Sequence, residues 1–318
     1  MRDGRISRLM RVAPHNHDLA WLKESLSAAV ALEFSTLPPY LTALWSIKNP
    51  AEPAAQSIRE ICREEMLHMG LMCNLLVAIG GTPQINDKET FPRYPGPLPG
   101  GVHPGLNVAL AGLTRGSAKV FMEIEWPEHG PIAAAKARAT VQSYPTIGAF
   151  YTAIQAAFSK IRPSLSATHQ LEGVPVDLFA VKSEHDVQRA IDLIKRQGEG
   201  SQVSSEDSGP GDLSHYYRFA EIYNDPRPFP DCWPVAPVPV GGYVAQGVSP
   251  SVSQLLEEFD RTFSEMVNQL QAAWETGSQQ ALYSAISLMS RLHEPALKLM
   301  QVPIPDGAGT YAPCFRLV

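Results

Sequence analysis

Glu64-Glu65-Met66-Leu67-His68 contains a Glu-x-x-His pair, and Asp212-Leu213-Ser214-His215 contains an Asp-x-x-His pair. A spacing of three places both members of such a pair on one helix face, so a carboxylate and an imidazole can address the same ion. Glu33 is a lone glutamate on an otherwise apolar helical stripe. An ionised carboxylate there is costly unless it is paired, hydrogen-bonded or bound to metal. Two such pairs, with a glutamate from each of two further helices, form the arrangement by which a four-helix bundle holds two metal ions. Imidazole and carboxylate together suit iron, manganese or zinc. The candidate metal ligands are therefore Glu33, Glu65, His68, Asp212 and His215. Competing roles stay open at this point. Glu33 could pair with Arg59 or Arg63, His68 could be a satisfied core histidine, and Asp212, following Pro210-Gly211, could cap its helix.

The elements that must position these residues follow from periodicity. Leu22, Leu26, Ala29, Glu33 and Leu37 share one face of a helix from His17, and Pro38-Pro39 is predicted to kink or end it. Ile58, Ile61, Glu65, His68, Met72, Leu75 and Ile79 form a stripe along a helix over 54–79, stopped by Gly80-Gly81-Thr82-Pro83. Residues 91–105 are proline- and glycine-rich loop, and 106–125 read as one or two short helices ending at Glu123-Ile124-Glu125-Trp126-Pro127. A further helix starts near Thr146 and stops at Pro163, and another runs from Glu184 to about Gln197. After a polar loop, a short helix is expected to carry Asp212, His215, Phe219 and Ile222 on one face. A proline-rich strap over 225–250 and two amphipathic helices, near 251–276 and 279–301, complete the chain, and no strand is predicted. Tyr40, Tyr151 and the pair Tyr216-Tyr217 fall near the candidate site, where a redox role beside the metal is one reading and packing with one hydroxyl hydrogen bond is the expected one.

Composition narrows the classes. The chain has 318 residues, 44% hydrophobic and 18% charged, which can bury a large core and is ordinary for a soluble protein. A net charge of −6 with no basic run argues against nucleic acid as partner. No segment has the apolar length of a membrane span, and the N-terminus lacks the apolar stretch of a signal peptide. The four cysteines, Cys62, Cys73, Cys232 and Cys314, show neither zinc spacing nor a disulfide framework. A cytoplasmic, reduced setting is expected.

The segments LEFSTLPPYL (32–41), REEMLHM (63–69), TIGAFYTAI (146–154), RQGEGS (196–201), DLSHYYRFAEI (212–222) and the ending Tyr311-Ala312-Pro313-Cys314-Phe315 resemble the ferritin-like family named for iminophenylpyruvate dimer synthase. The likeness runs over about 15–318 in the same order. It implies a helical ferritin-like core with proline-rich loops, and a namesake activity in bacterial pigment biosynthesis, the dimerisation of an oxidised amino-acid imine. By position, Glu33, Glu65, His68 and His215 match the family's ligands, with Glu33 and His68 on one ion and Glu65 bridging. Two departures stand out: Ala149 where the family has glutamate, and Asp212 where it has glutamate. The second ion is thus expected to lack its terminal carboxylate. The site could be degenerate, or Glu199 or Glu125 could compensate, or the alanine could open a coordination position for substrate. The plainer role for Glu125 and Glu199 is that of an acid at a helix end or in a loop.

The sequence therefore predicts an all-α, ferritin-like four-helix bundle with extra helices and long proline-rich loops. A bundle core over 15–225 would carry a strap and C-terminal helical pair over 226–318. The expected function is that of a metal-dependent oxidase or oxygenase of a small organic molecule in specialised metabolism, with one or two ions of iron, or manganese. The alternative is a metal-free, degenerate scaffold acting as a binding or partner subunit. Iron storage is the least favoured reading, and the apolar C-terminal helix faces would permit a homodimer.

Overall fold

Asp18 starts the first long helix by accepting the backbone N–H of Trp21 at 2.8 Å, the standard side-chain cap of a helix N-terminus. The computed structural model describes residues 4–88, 91–102, 105–127, 146–173, 175–198, 213–243, 247–305, 307 and 309–318. After a short α1 (Arg5–Met10), α2 spans Leu19–Ser46 and α3 spans Pro53–Ala78. These two helices pack along each other. Pro53 sits in the first turn of α3, where its missing N–H costs nothing, and Gly80 follows its end with φ 72°.

Of the two outcomes expected at Pro38-Pro39, a kink or an end, the end does not occur: α2 continues for nearly two more turns. Pro39 has no N–H to give the carbonyl of Ser35. The hydroxyl of Tyr94 donates to that carbonyl instead, at 2.5 Å. The continuation matters because it brings Tyr40 onto the same side as Glu33.

A second pair is short. α4 (Arg115–Ile124), opened by a capping box between Thr114 and Ser117, packs on α7 (His215–Asn224). A third pair, α5 (Ile147–Ile161) and α6 (Glu184–Gly198), closes the side of the bundle. α7 starts at His215 with Ser214 as its cap, later than predicted, and Asp212 lies outside the described residues.

Residues 226–243 run largely extended across the surface, joined to the core by isolated pairings at Ile47 with Cys232 and Val235 with Thr310. α8 (Pro250–Thr276) packs on α9 (Gln279–Arg291) and α10 (His293–Met300). The sequence predicts one final helix. The break comes at Leu292, because Pro295 cannot donate to the carbonyl four residues back. A buried Asn74 ties this C-terminal layer to α3: its side chain donates to the carbonyls of Leu171 and Phe179 and accepts from Leu171 N–H and Trp274 Nε1. Among the described residues, all bridges are isolated, and no helix is long and apolar enough to cross a membrane.

Candidate metal centre

Glu33 comes from the middle of α2, Glu65 and His68 from α3, Glu125 from the residue that caps the C-terminus of α4, and His215 from the first residue of α7. They are between 0% and 7% exposed, so water screens none of their charges. Two groups of ligand atoms form, each within 4.8 Å: Glu33, Glu65 and His68, and Glu65, Glu125 and His215. Glu65 belongs to both. His68 Nδ1 lies 3.5 Å from Glu33 Oε2 and 3.8 Å from Glu65 Oε1. His215 Nδ1 lies 2.7 Å from Glu65 Oε1 and 3.7 Å from Glu125 Oε2. The two imidazoles stack with centroids 5.5 Å apart.

Of the predicted ligands the structure brings together Glu33, Glu65, His68 and His215. Neither arginine serves as a partner for Glu33: Arg59 donates to the carbonyl of Pro50 and Arg63 to that of Pro175. No carboxylate comes from position 149, and Glu125 brings a third carboxylate to the cluster beside His215. Ala149 sits in the first turn of α5, its N–H held by the capping Thr146 Oγ1 at 3.1 Å, and is absent from the pocket lining. Glu199 lies outside the described residues. The signal for Glu125 was present in the sequence: Ala118, Phe121 and Ile124 form the buried stripe of α4, and Glu125 extends it, a turn beyond Phe121.

Each inner group has an outer support. His68 Nε2 pairs with Gln197 Oε1 at 2.9 Å. His215 Nε2 pairs with Glu64 Oε2 at 2.8 Å, and Arg218 grips both oxygens of Glu64, at 2.9 and 3.1 Å. Both imidazoles thus offer Nδ1 to the centre and anchor Nε2 outside, as metal-ligating histidines do. Tyr151 donates to Glu33 Oε1 from α5. Tyr40 donates to Glu125 Oε1 at 2.5 Å. Thr36 Oγ1 lies 2.8 Å from the Glu33 carbonyl oxygen and 3.0 Å from Glu65 Oε2. Tyr216 is buried and meets Trp126 edge to face, and Tyr217 packs on Tyr216.

The electrostatics show what the donor set lacks. Burial, with the charges of Glu125 and Glu33, pushes the Glu65 carboxyl up to about 8. Burial also works to raise Glu33, but the hydrogen bond and charge of His68 outweigh it and hold Glu33 below its usual value. His68 and His215 are raised despite burial, by Glu33 and Glu65 in one case and by Glu125, Glu64 and Glu65 in the other. Burial, then their carboxylate partners, pushes Tyr40 and Tyr151 well above the phenol range, so both stay donors. Three carboxylates crowded in a dry site need positive charge between them. His215 Nδ1, fully buried, makes no well-formed hydrogen bond despite its short approach to Glu65. An inward nitrogen close to two carboxylates but without a well-aligned hydrogen bond to either fits a divalent metal ion. The pocket over the donors holds about 30 Å³, and Leu32, Ile124, Trp126, Ile147 and Ile194 help to wall it.

A buried carboxylate–histidine cluster within paired helices defines the class. The ferritin-like family matches residues 26–224, and the chain belongs to that family. Among curated proteins it is similar to dichlorochromopyrrolate synthase of Lentzea aerocolonigenes, 25% identical in an alignment 312 positions long, gaps included, that covers 82% of this chain. The match takes in 29% of that protein, so the chain spans under a third of the relative's length. Among solved structures it is similar in fold to a ferritin like protein from Caulobacter vibrioides, with a TM-score of 0.71, 22% identity, and coverage of 93% of this chain and 97% of the other.

Proposed function

We propose that this protein is a non-haem iron enzyme, an oxidase or oxygenase acting on a small organic molecule in specialised metabolism. The observation that carries the reading is the convergence of five buried donors in two overlapping groups around Glu65, with His215 Nδ1 left without a proper hydrogen bond. Glu33, Glu65 and His68 would hold one ion, and Glu65, Glu125 and His215 the second. Manganese suits the same donors. Iron(II) bound there would supply the electrons that reduce dioxygen while an organic substrate is oxidised.

The residues around the donors have definable tasks. Tyr151 and Tyr40 each hold one oxygen of a terminal carboxylate, leaving the other free to turn inward. Gln197 and Glu64 fix the imidazole rings. The apolar walls exclude bulk water, and the 30 Å³ between them suits a molecule the size of water or dioxygen. Support for a biosynthetic role comes from the relative's name, a synthase of an organic product. The imine-dimerising activity implied by the sequence resemblance is the finer form of this reading.

The test is metal content per chain by mass spectrometry, after anaerobic reconstitution with Fe(II) and desalting, on the parent, Glu125→Ala and Ala149→Glu. Two irons in the parent and in Ala149→Glu, with one in Glu125→Ala, are expected. No iron in any of the three, and no iron-dependent rise in melting temperature, would leave a metal-free scaffold as the reading.

A further inference from the structure

A second cavity, of about 420 Å³, lies between α2, α3 and the C-terminal helices. It uses a different face of α2 from the metal centre: Phe34, Leu37, Leu41 and Trp45 line it, whereas Glu33 and Thr36 face the donors. Met66 and Met69 of α3 form one wall, and Met266, Trp274, Ile286 and Met289 of α8 and α9 form the opposite one. This volume is within the range of small-molecule sites, and the metal pocket is more than tenfold smaller. An organic molecule that cannot enter the one has room in the other.

The polar groups of the cavity are few and of one sign. Arg59, Arg63 and His293 are its titratable side chains, and among the described residues that line it there is no aspartate or glutamate. All three are exposed, which places them at the mouth. Arg59 gives one bond to the Pro50 carbonyl, at 3.3 Å, and Arg63 one to the Pro175 carbonyl, at 3.0 Å. Glu60 approaches Arg63 only to 3.9 Å, with both side chains more than half exposed. A guanidinium carries five N–H donors, so both keep donors to offer. Burial, and then the positive charge of Arg59, lowers the basicity of His293 beside them.

The far wall is held in an unusual backbone state. Phe315 lines the cavity with φ 51°, the left-handed region that non-glycine residues adopt only where their surroundings hold them. The holding group is Asp260, 1% exposed on α8, which accepts Arg316 N–H at 3.1 Å and Arg316 Nε–H at 2.7 Å. This clamp sets the Phe315 ring parallel to Trp45, centroids 6.0 Å apart, and edge-on to Phe263. Left-handed non-glycine backbone is concentrated at ligand sites, and here it shapes an aromatic wall.

We propose that this cavity binds an organic carboxylate with an apolar, ring-containing body, the body among the methionine and aromatic walls and the carboxylate between Arg59 and Arg63. The proposal does not depend on the metal reading. Methionine and aromatic surfaces accept flat, polarisable ligands, and a guanidinium pair recognises a carboxylate through paired hydrogen bonds. An uncharged ligand of the same body would lose that second contribution.

The test uses the full chain and a matched pair of fluorescent probes, 1-pyrenebutanoate and its neutral amide, titrated at moderate salt. The acid is expected to bind about tenfold more tightly than the amide. In the Arg59→Gln/Arg63→Gln variant the acid should fall to the affinity of the amide. Met289→Trp, which fills the cavity from α9, should weaken both probes at least about tenfold. Equal affinity of acid and amide for the parent would overturn the carboxylate assignment. Absence of saturable binding, or binding indifferent to Met289→Trp in a variant with parental circular dichroism, would overturn the site itself. If Met289→Trp does not fold, the parent and the arginine variant still decide, because both substituted arginines are on the surface.

Discussion

The two halves of the donor cluster are built differently. Glu33 and His68 sit in the middle of long, mutually packed helices, and the outer support of His68 is a neutral amide, Gln197. Glu125 and His215 sit at the ends of short helices, and the outer support of His215 is a charged pair, Glu64 with Arg218. The first half is positioned by helix packing with uncharged hydrogen-bond partners, Gln197 and Tyr151. The second is positioned by chain ends and held by an ion-paired scaffold. A carboxylate behind an imidazole also makes it a stronger ligand than an amide does. The second half thus compensates in electrostatics for what it lacks in helical rigidity.

Perturbations rank by how much of this comparison they remove. Glu65→Gln, which weakens the donor common to both halves, is expected to abolish retention of iron after desalting, read as a fall from two ions to none. Glu125→Ala should remove one ion and leave the Glu33, Glu65 and His68 half loaded. Retention of both ions in Glu125→Ala would mean that the second half is completed by another residue. Glu64→Gln keeps the shape of the support but not its charge, and should weaken the second ion about 10- to 100-fold. Gln197→Ala should cost the first ion less than that. Competition with a chelator measures both, and equal losses would erase the proposed asymmetry.

A smaller effect appears in the metal-free chain as pH varies. Glu65 has a folded value of about 8 against an ordinary 4.5, so the folded chain retains a proton that the unfolded chain gives up. His68 and His215, both raised, act in the same direction. Glu33, held below its ordinary value, acts in the opposite direction but at lower pH. Stability falls with pH wherever the folded state binds more protons. The melting temperature of the metal-free protein, followed by circular dichroism, should therefore decline between about pH 5 and pH 8. Loading with metal should flatten the decline, since a bound ion displaces those protons. Parallel slopes with and without metal would speak against displacement.

The long first half was legible in the sequence, and the second half only in part. The stripes through Glu33, Glu65 and His68 persist over many turns, so periodicity alone aligned them. His215 was found from a three-residue spacing, yet it opens its helix. Glu125 was named with Glu199 as an acid that could compensate but left out of the ligand set, because α4 supplies few turns of pattern and the residue closing it reads more readily as a helix-end charge. Pro38-Pro39 misled because the compensating donor, Tyr94, is remote in the chain. A local rule about proline cannot anticipate a hydroxyl arriving from a loop.

Glu125 has a consequence for how relatives are compared. The sequence resemblance implies a glutamate where this chain has Ala149, and here Glu125 at the end of α4 brings a carboxylate to the cluster. Read by its own column alone, position 149 offers no carboxylate. In space a carboxylate oxygen of Glu125 nevertheless lies 3.7 Å from His215 Nδ1. A count of incomplete sites drawn from aligned columns misses a carboxylate supplied in this way, and superposed cavities are the sounder basis for deciding whether such a cluster is complete.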